Sequence, residues 1–396
     1  KTNINKKAQA LHSLSEGVPV KTKVDYLILA LLVLVSGLAT KMFRGFEIVL
    51  VLFVISIAYL LMQKAVFDRR YLLACGVWFV YILFSYLKYP GDNHFWPFIY
   101  FFNLTLVFAI VRYYGVSVFV KFTDVMYFLS AISLFLYSWQ LLSLSTILPL
   151  WQSFDISEGQ FDKPYTHYAH AFFYTIHQFQ DASKGFPRNS GFCWEPGAFS
   201  CFLVLAVYLQ LLRDSYIIKY NKLRYLVFFV ALLTTQSATG AMGVMVVFVG
   251  YLLNIPSTLK SNYLVTAAAA LALLVVFLPS QLDKIDSQLS DNVIEQVYRL
   301  DASEYERGLG RFQSVAILVI DFSENYVLGI GADRAASWVS KNNIDVSPTS
   351  GIGNMFATYG LFLMLPYFYV LFKSSALIVS LFGCKGRFIL VVLVIT

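Results

Sequence analysis

The chain has 396 residues, of which 58% are hydrophobic and only 13% charged, and its mean hydropathy is +0.65. Soluble globular proteins carry about 25% charged residues, so the composition excludes an ordinary soluble domain and puts most of the chain in lipid. The net charge of +7 reads as Lys and Arg on cytoplasmic loops, and no basic run or motif points to a nucleic-acid partner.

Residues 1–24 are polar and are expected to form a cytoplasmic N-terminal segment. Apolar runs follow at 25–40, 46–62, 71–87, 98–111, 125–150, 197–212, 224–239, 241–254, 263–279, 352–372 and 388–396. A span needs roughly 20 residues, so the last run is read as a truncated helix. The expected fold is an all-α integral membrane protein of about 11 transmembrane helices with two long external loops. In chain order these are N-terminal helices (25–150), a first external loop (151–196), central helices (197–279), a second external loop (280–351) and C-terminal helices (352–396). Four runs separate the two loops, which places both on one side. With the N-terminus inside, the inner segments hold Lys64, Arg69, Arg70, Arg112, Lys121, Arg213, Lys219, Lys222, Arg224, Lys260, Lys373, Lys385 and Arg387. The short outer loops hold only Lys41, Arg44 and Lys88, the bias of the positive-inside rule.

The aromatic fraction of 17% suits interfacial belts. The cysteines Cys75, Cys193, Cys201 and Cys384 are scattered, with no disulfide framework or C-x-x-C pattern. In the first loop, Y-T-H-Y-A-H-A-F-F-Y-T-I-H (165–177) would, as a helix, put His170 and His177 on one face and His167 about 60° away. A zinc site, an aromatic shelf for sugar rings and an amphipathic interfacial segment are the readings, and the interfacial segment is preferred. The stretch R-N-S-G-F-C-W-E-P-G-A-F (188–199) is the sharpest local signal. Gly191, Pro196 and Gly197 mark a turn back into the membrane, with Pro196 in the first turn of a helix and Glu195 beside its N-terminus. Arg188 and Glu195 are then either a structural ion pair or functional groups.

T-T-Q-S-A-T-G (234–240) joins two apolar runs. Each is shorter than a full span, so this turn, with Ser237 and Thr239, is expected to dip into the bilayer under a wetted site. In the second loop, Arg299 lies in a polar stretch. Arg307 and Arg311 stand in E-R-G-L-G-R-F-Q (306–313), and Arg334 ends L-G-I-G-A-D-R (328–334). Glycines beside them would let backbone approach a ligand, and a guanidinium suits phosphate oxygens. S-G-I-G-N-M-F-A-T-Y-G-L (350–361) leads into the next span with Asn354 and Tyr359 near its external end.

The order R-x-S-G-F-x-W-E-P-G, T-x-x-S-A-T-G, a G-R followed by G-I-G, and N-x-x-x-x-Y-G-L resembles the O-antigen polymerase (Wzy-type) family over residues 185–372. The resemblance implies a C-type glycosyltransferase-like membrane fold in the bacterial inner membrane. It implies an enzyme that joins undecaprenyl-pyrophosphate-linked oligosaccharide repeat units on the periplasmic face. The related O-antigen ligase usually carries a His-Asn pair before the late span. Here the stretch reads G-I-G-N-M, which favours a polymerase. A capsule or exopolysaccharide polymerase remains the nearest alternative, and a polysaccharide or lipid transporter is the alternative outside enzymes. A transporter would carry ionisable residues along a path within the spans, and few are visible there.

No D-x-D motif is present, so the expected transfer uses neither metal nor cofactor. Arg188 and Arg311 are expected to grip the pyrophosphate, with Arg307 and Arg334 as weaker candidates and Arg299 nearby. Glu195 is expected to be the general base, with the histidines as alternatives. His167, His170, Asn354, Tyr359, Ser237 and Thr239 complete the expected substrate contacts. The expected partners are the lipid-linked oligosaccharide, the bilayer and a chain-length-regulating co-polymerase.

Overall fold

The structure is a computed structural model that describes residues 23–37, 69–89, 117–154, 166–171, 173–179, 187–217, 221–254, 311–331, 336–342 and 351–381, with a few positions between 50 and 58 and between 105 and 115. It is mostly helical. In chain order the elements are α1 (Lys23–Gly37), α2 (Arg69–Lys88), α3 (Ser117–Leu142), α4 (Leu144–Phe154), β1 (Thr166–Ala171), β2 (Tyr174–Phe179), β3 (Arg188–Asn189), α5 (Pro196–Ile217), α6 (Lys222–Thr235), α7 (Ala238–Asn254), α8 (Arg311–Glu324), α9 (Trp338–Lys341) and α10 (Gly351–Leu381). Four segments are long and apolar enough to cross a membrane: Tyr71–Lys88, Ser117–Leu142, Pro196–Asp214 and Gly353–Ser374. Two shorter apolar segments, Asp25–Leu34 and Ala238–Phe248, accompany them. The expected runs 98–111, 263–279 and 388–396 lie wholly or largely outside the described residues.

α5 is the axis of the core. Leu203, Val204, Ala206, Val207, Tyr208, Leu209 and Leu211 are all buried, as expected of a helix that neighbours cover around most of its circumference. α3, α6 and α7 pack against it. Gly240 of α7 permits the closest approach, since a Cβ there would lie 2.6 Å from Cβ of Ser200.

The ion pairs of this bundle, among the described residues, lie at one end of it. The Lys121 ammonium pairs with Asp25 at 2.8 Å, and Tyr114 donates to the same carboxylate at 2.6 Å. Arg213 and Arg224 both donate to Asp124 Oδ1, at 2.8 and 2.6 Å, and Tyr26 donates to its other oxygen at 3.2 Å. Lys121, Asp124, Arg213 and Asp214 therefore sit within helices rather than in loops, so the spans carry more charge than the sequence suggested. These residues gather at one end and form no path along the helices. Sixteen residues along α3 separate Asp124 from Gln140, about 24 Å at 1.5 Å per residue. α1 and α3 begin at the same end of the bundle, where Asp25 meets Lys121.

Three expectations change. The run 125–150 is two helices: α3 starts earlier and ends at Leu142, and Ser143 starts α4 by accepting from the amides of Thr146 and Ile147. The segment 166–177 is extended rather than helical where it is described. It forms a hairpin, the first two strands of an antiparallel sheet ordered β1-β2-β3. Ala169, Tyr174 and Ile176 are buried with Trp151 and Tyr137, and Thr175, between Tyr174 and Ile176, is fully buried as well, so this part of β2 is covered on both faces. The Tyr174 hydroxyl donates to Gln140 at 2.7 Å, and the Trp151 indole donates to the Tyr174 carbonyl at 3.0 Å. The sheet is the departure from an all-α fold among the described residues.

The third change concerns the glycines of L-G-I-G. They approach α10 rather than a ligand. α10 breaks at Gly360 (φ 60°, ψ −172°), and the turn 326–331 fills the break. Ile330 and Gly331 amides donate to the carbonyls of Ala357 and Thr358, while the amides of Leu361 and Phe362 donate to Tyr326 and Val327. Tyr89 fixes the turn from α2 by donating to the Gly329 carbonyl at 2.8 Å.

Two outcomes follow. In Gly360→Ala a Cβ would lie 2.3 Å from the Val327 carbonyl oxygen, on top of about 1–3 kcal/mol for a backbone conformation essentially reserved for glycine. Gly76, with open space around it, is the control. Size-exclusion profiles of detergent extracts should show aggregation for Gly360→Ala and a wild-type peak for Gly76→Ala. Lys121→Met strands the Asp25 carboxylate and should destabilise by about 3–5 kcal/mol. Adding Asp25→Asn, which keeps an acceptor for Tyr114, should recover much of that in thermal unfolding.

Candidate functional site

The end of the bundle opposite the ion pairs is built by the segment 187–195 lying over the head of α5, the tail of α6 and the start of α7. Asn189 is its anchor. The residue is fully buried. Its amide donates to Ser133 Oγ at 3.3 Å and Thr234 Oγ1 at 3.0 Å, and its carbonyl oxygen accepts from the Gly191 amide at 2.9 Å. Both hydroxyls spend their own protons on carbonyls one turn back, those of Ser130 and Ala231, which leaves lone pairs for Asn189. Gly191 then turns with φ +52°, its α-carbon so near the Phe199 ring that a Cβ would lie 2.7 Å away. Phe192 packs edge-on against Phe199 and Phe202. Cys193 is sealed beneath, where burial pushes its thiol well up, with Cys201 and Glu195 adding to the effect.

Arg188 is half-buried. Its Nε donates to the Thr235 carbonyl at 3.0 Å and its Nη2 to the Gln236 carbonyl at 3.2 Å. These are the last carbonyls of α6, where the helix dipole favours a cation. Together these two carbonyls orient the guanidinium. The carbonyl of Pro187 accepts from Tyr137 Oη at 2.8 Å and Gln236 Nε2 at 3.1 Å. The register sets His177 opposite Arg188, Tyr168 opposite His177, and His170 opposite Thr175. His170 and His177 thus belong to strands, and the shared helical face does not exist.

Glu195 is exposed immediately before α5, and its carbonyl starts the helix by accepting from the Phe199 amide at 3.2 Å. Pro196 occupies the first helical position, as the sequence indicated. Ser237 is buried and caps α7. Its hydroxyl accepts from the Gly240 amide at 3.3 Å and meets Ser200 Oγ at 3.1 Å. Thr239, half-buried, follows in the first turn of α7.

Arg188, Glu195, Ser237 and Thr239 are therefore brought to one end of one bundle, with the hairpin carrying His167 and His170 joined to it through β3. Asn354 and Tyr359 belong to α10. Asn354 accepts from Thr358 Oγ1 at 3.3 Å, and the Tyr359 ring packs near Trp78 and Tyr81. Arg311 opens α8, which packs against α10. Arg299, Arg307 and Arg334 lie outside the described residues. The sequence reading missed Asn189, Gln236 and Tyr137. Asn189 and Gln236 stood inside motifs already singled out, whereas Tyr137 contributes through a contact that no spacing announces.

Comparison of the chain with protein-family models, curated protein sequences and solved structures gave no match.

Asn189→Ala leaves the Gly191 amide without its acceptor in a buried site, which should cost about 1–3 kcal/mol. A melting temperature several degrees below wild type, with the protein still membrane-integrated, is the expected result.

Proposed function

We propose that the chain is a bacterial inner-membrane glycosyltransferase of the O-antigen polymerase type. It moves a growing glycan from undecaprenyl pyrophosphate to a sugar hydroxyl of the next lipid-linked repeat unit. The observation that carries this reading is the disposition of R-N-S-G-F-C-W-E-P-G. It holds an oriented arginine and an exposed carboxylate seven residues apart, at the end of the apolar helices opposite the ion pairs.

In the proposed transfer the acceptor oxygen bonds to the sugar C1 as the bond from C1 to the pyrophosphate oxygen breaks. The electron pair leaves with the pyrophosphate, and the hydroxyl proton passes to Glu195. Arg188 and Arg311 stabilise the charge that develops on the leaving group, in a setting where fixed cations act more strongly than in water. Neither metal nor cofactor enters the scheme. Transport is disfavoured because the buried ion pairs gather at one end and are mutually satisfied. The ligase alternative is disfavoured by G-I-G-N-M before the late helix.

The test is a deletion strain whose surface polysaccharide is resolved by length on a gel. Wild-type complementation should restore the ladder. Arg188→Ala, losing charge-assisted contacts worth about 1.5–3 kcal/mol, should slow transfer roughly tenfold to a hundredfold and collapse the ladder towards single repeats. Arg188→Lys should fail too, because an ammonium lacks the bidentate fork. Full-length polymer from Glu195→Gln would remove Glu195 as the base. Loss of all capped core with lipid-linked polymer accumulating would indicate a ligase.

A further inference from the structure

We propose that Gln236 is a positioning residue that sets the Arg188 guanidinium for the pyrophosphate group, an inference that rests on the function proposed above. Gln236 ends α6 in the left-handed region (φ 49°, ψ 39°), and it is the one non-glycine residue with positive φ among the described residues. Glycine is the ordinary occupant of such a helix end, with asparagine next. A glutamine there is disfavoured by its backbone, and such outliers cluster where the conformation serves a site.

Its contacts show what the conformation secures. The main-chain carbonyl of Gln236 receives Arg188 Nη2 at 3.2 Å, while its side-chain Nε2 reaches back to the Pro187 carbonyl at 3.1 Å. Pro187 and Arg188 share one peptide unit. A single residue thus holds both the peptide plane that leads into Arg188 and the guanidinium at its far end. Tyr137 adds a second donor to the Pro187 carbonyl at 2.8 Å, and Thr235 a second acceptor for the guanidinium at 3.0 Å. Asparagine would suit the backbone better but is one methylene too short for this reach. Glycine would relieve the backbone and lose the reach altogether. The side chain that tolerates the strain is the one that closes the latch.

Positioning of this kind differs from bulk structural support in how it combines with loss of Arg188. The purified protein is assayed for elongation of the strain's own undecaprenyl-pyrophosphate-linked repeat unit. The variants are Gln236→Gly, Gln236→Glu, Arg188→Ala and the double variant Gln236→Gly with Arg188→Ala. Gln236→Gly removes the side-chain bond while easing the backbone, and Gln236→Glu keeps the size while replacing the donor by an acceptor. Each should lower kcat about three- to tenfold, the scale of one hydrogen bond, with the melting temperature close to wild type. On the Arg188→Ala background the Gln236 change should have no further effect, because the group it positions is gone. Equal proportional losses on both backgrounds, or wild-type kcat from Gln236→Gly, would overturn the proposal. A folded wild type that does not elongate the substrate would overturn the functional reading and this inference with it, an outcome distinct from either.

Discussion

The constraint on which the structure depends is that lipid offers no hydrogen bonds, so backbone polar groups at membrane depth must be satisfied by the protein itself. Among the described residues the chain interrupts its helices at three points, and each interruption has a dedicated partner. At the end of α6 the last carbonyls receive the Arg188 guanidinium. At the start of α7 the Ser237 hydroxyl takes the Gly240 amide. At the break in α10 a whole turn supplies two donors to one half and two acceptors to the other. The helices can be broken because the segments between them are folded to fit the breaks.

That arrangement separates two kinds of polarity. At one end of the bundle the charges are closed on each other, with Asp25 against Lys121 and Asp124 shared by Arg213 and Arg224. At the other end an arginine is held by neutral carbonyls, and a carboxylate remains exposed. Closed pairs fix helix against helix, whereas the carbonyls beside Arg188 fix the orientation of its guanidinium. The mechanistic interest therefore falls on the sheet end, although the ion-paired end holds more charge.

The parts of this that were legible in the sequence are those set by local chemistry. Pro196 as a helix start, Glu195 beside it and the T-T-Q-S-A-T-G turn follow from proline's missing donor, the helix dipole and the shortness of the flanking runs. The hairpin was obscured because Y-T-H-Y-A-H-A-F-F-Y-T-I-H shows no clear alternation of apolar and polar residues, and what holds it is burial against Trp151 and Tyr137 from elsewhere in the chain. The helix at 117–142 was underestimated because Lys121 and Asp124 look like loop residues until Asp25, Arg213 and Arg224 meet them from elsewhere in the chain. The glycines of L-G-I-G look the same in sequence whether a ligand or another backbone approaches them. Here Thr358 is the neighbour, 2.3 Å from where a Cβ of Gly329 would stand.

Arg188 unites the two themes. As a helix-end cation it completes α6, and a lysine could serve that purpose in part, since the dipole asks only for positive charge near the last turn. The observed geometry asks for more. Nε and Nη2 reach two successive carbonyls, which fixes the plane of the guanidinium and not merely its charge. Fixing the plane matters little for capping but decides how the group would present itself to a phosphate, whose oxygens are matched by a planar fork. The structural and the proposed chemical roles therefore draw on the same residue through different properties, its charge for the helix and its planarity for the ligand.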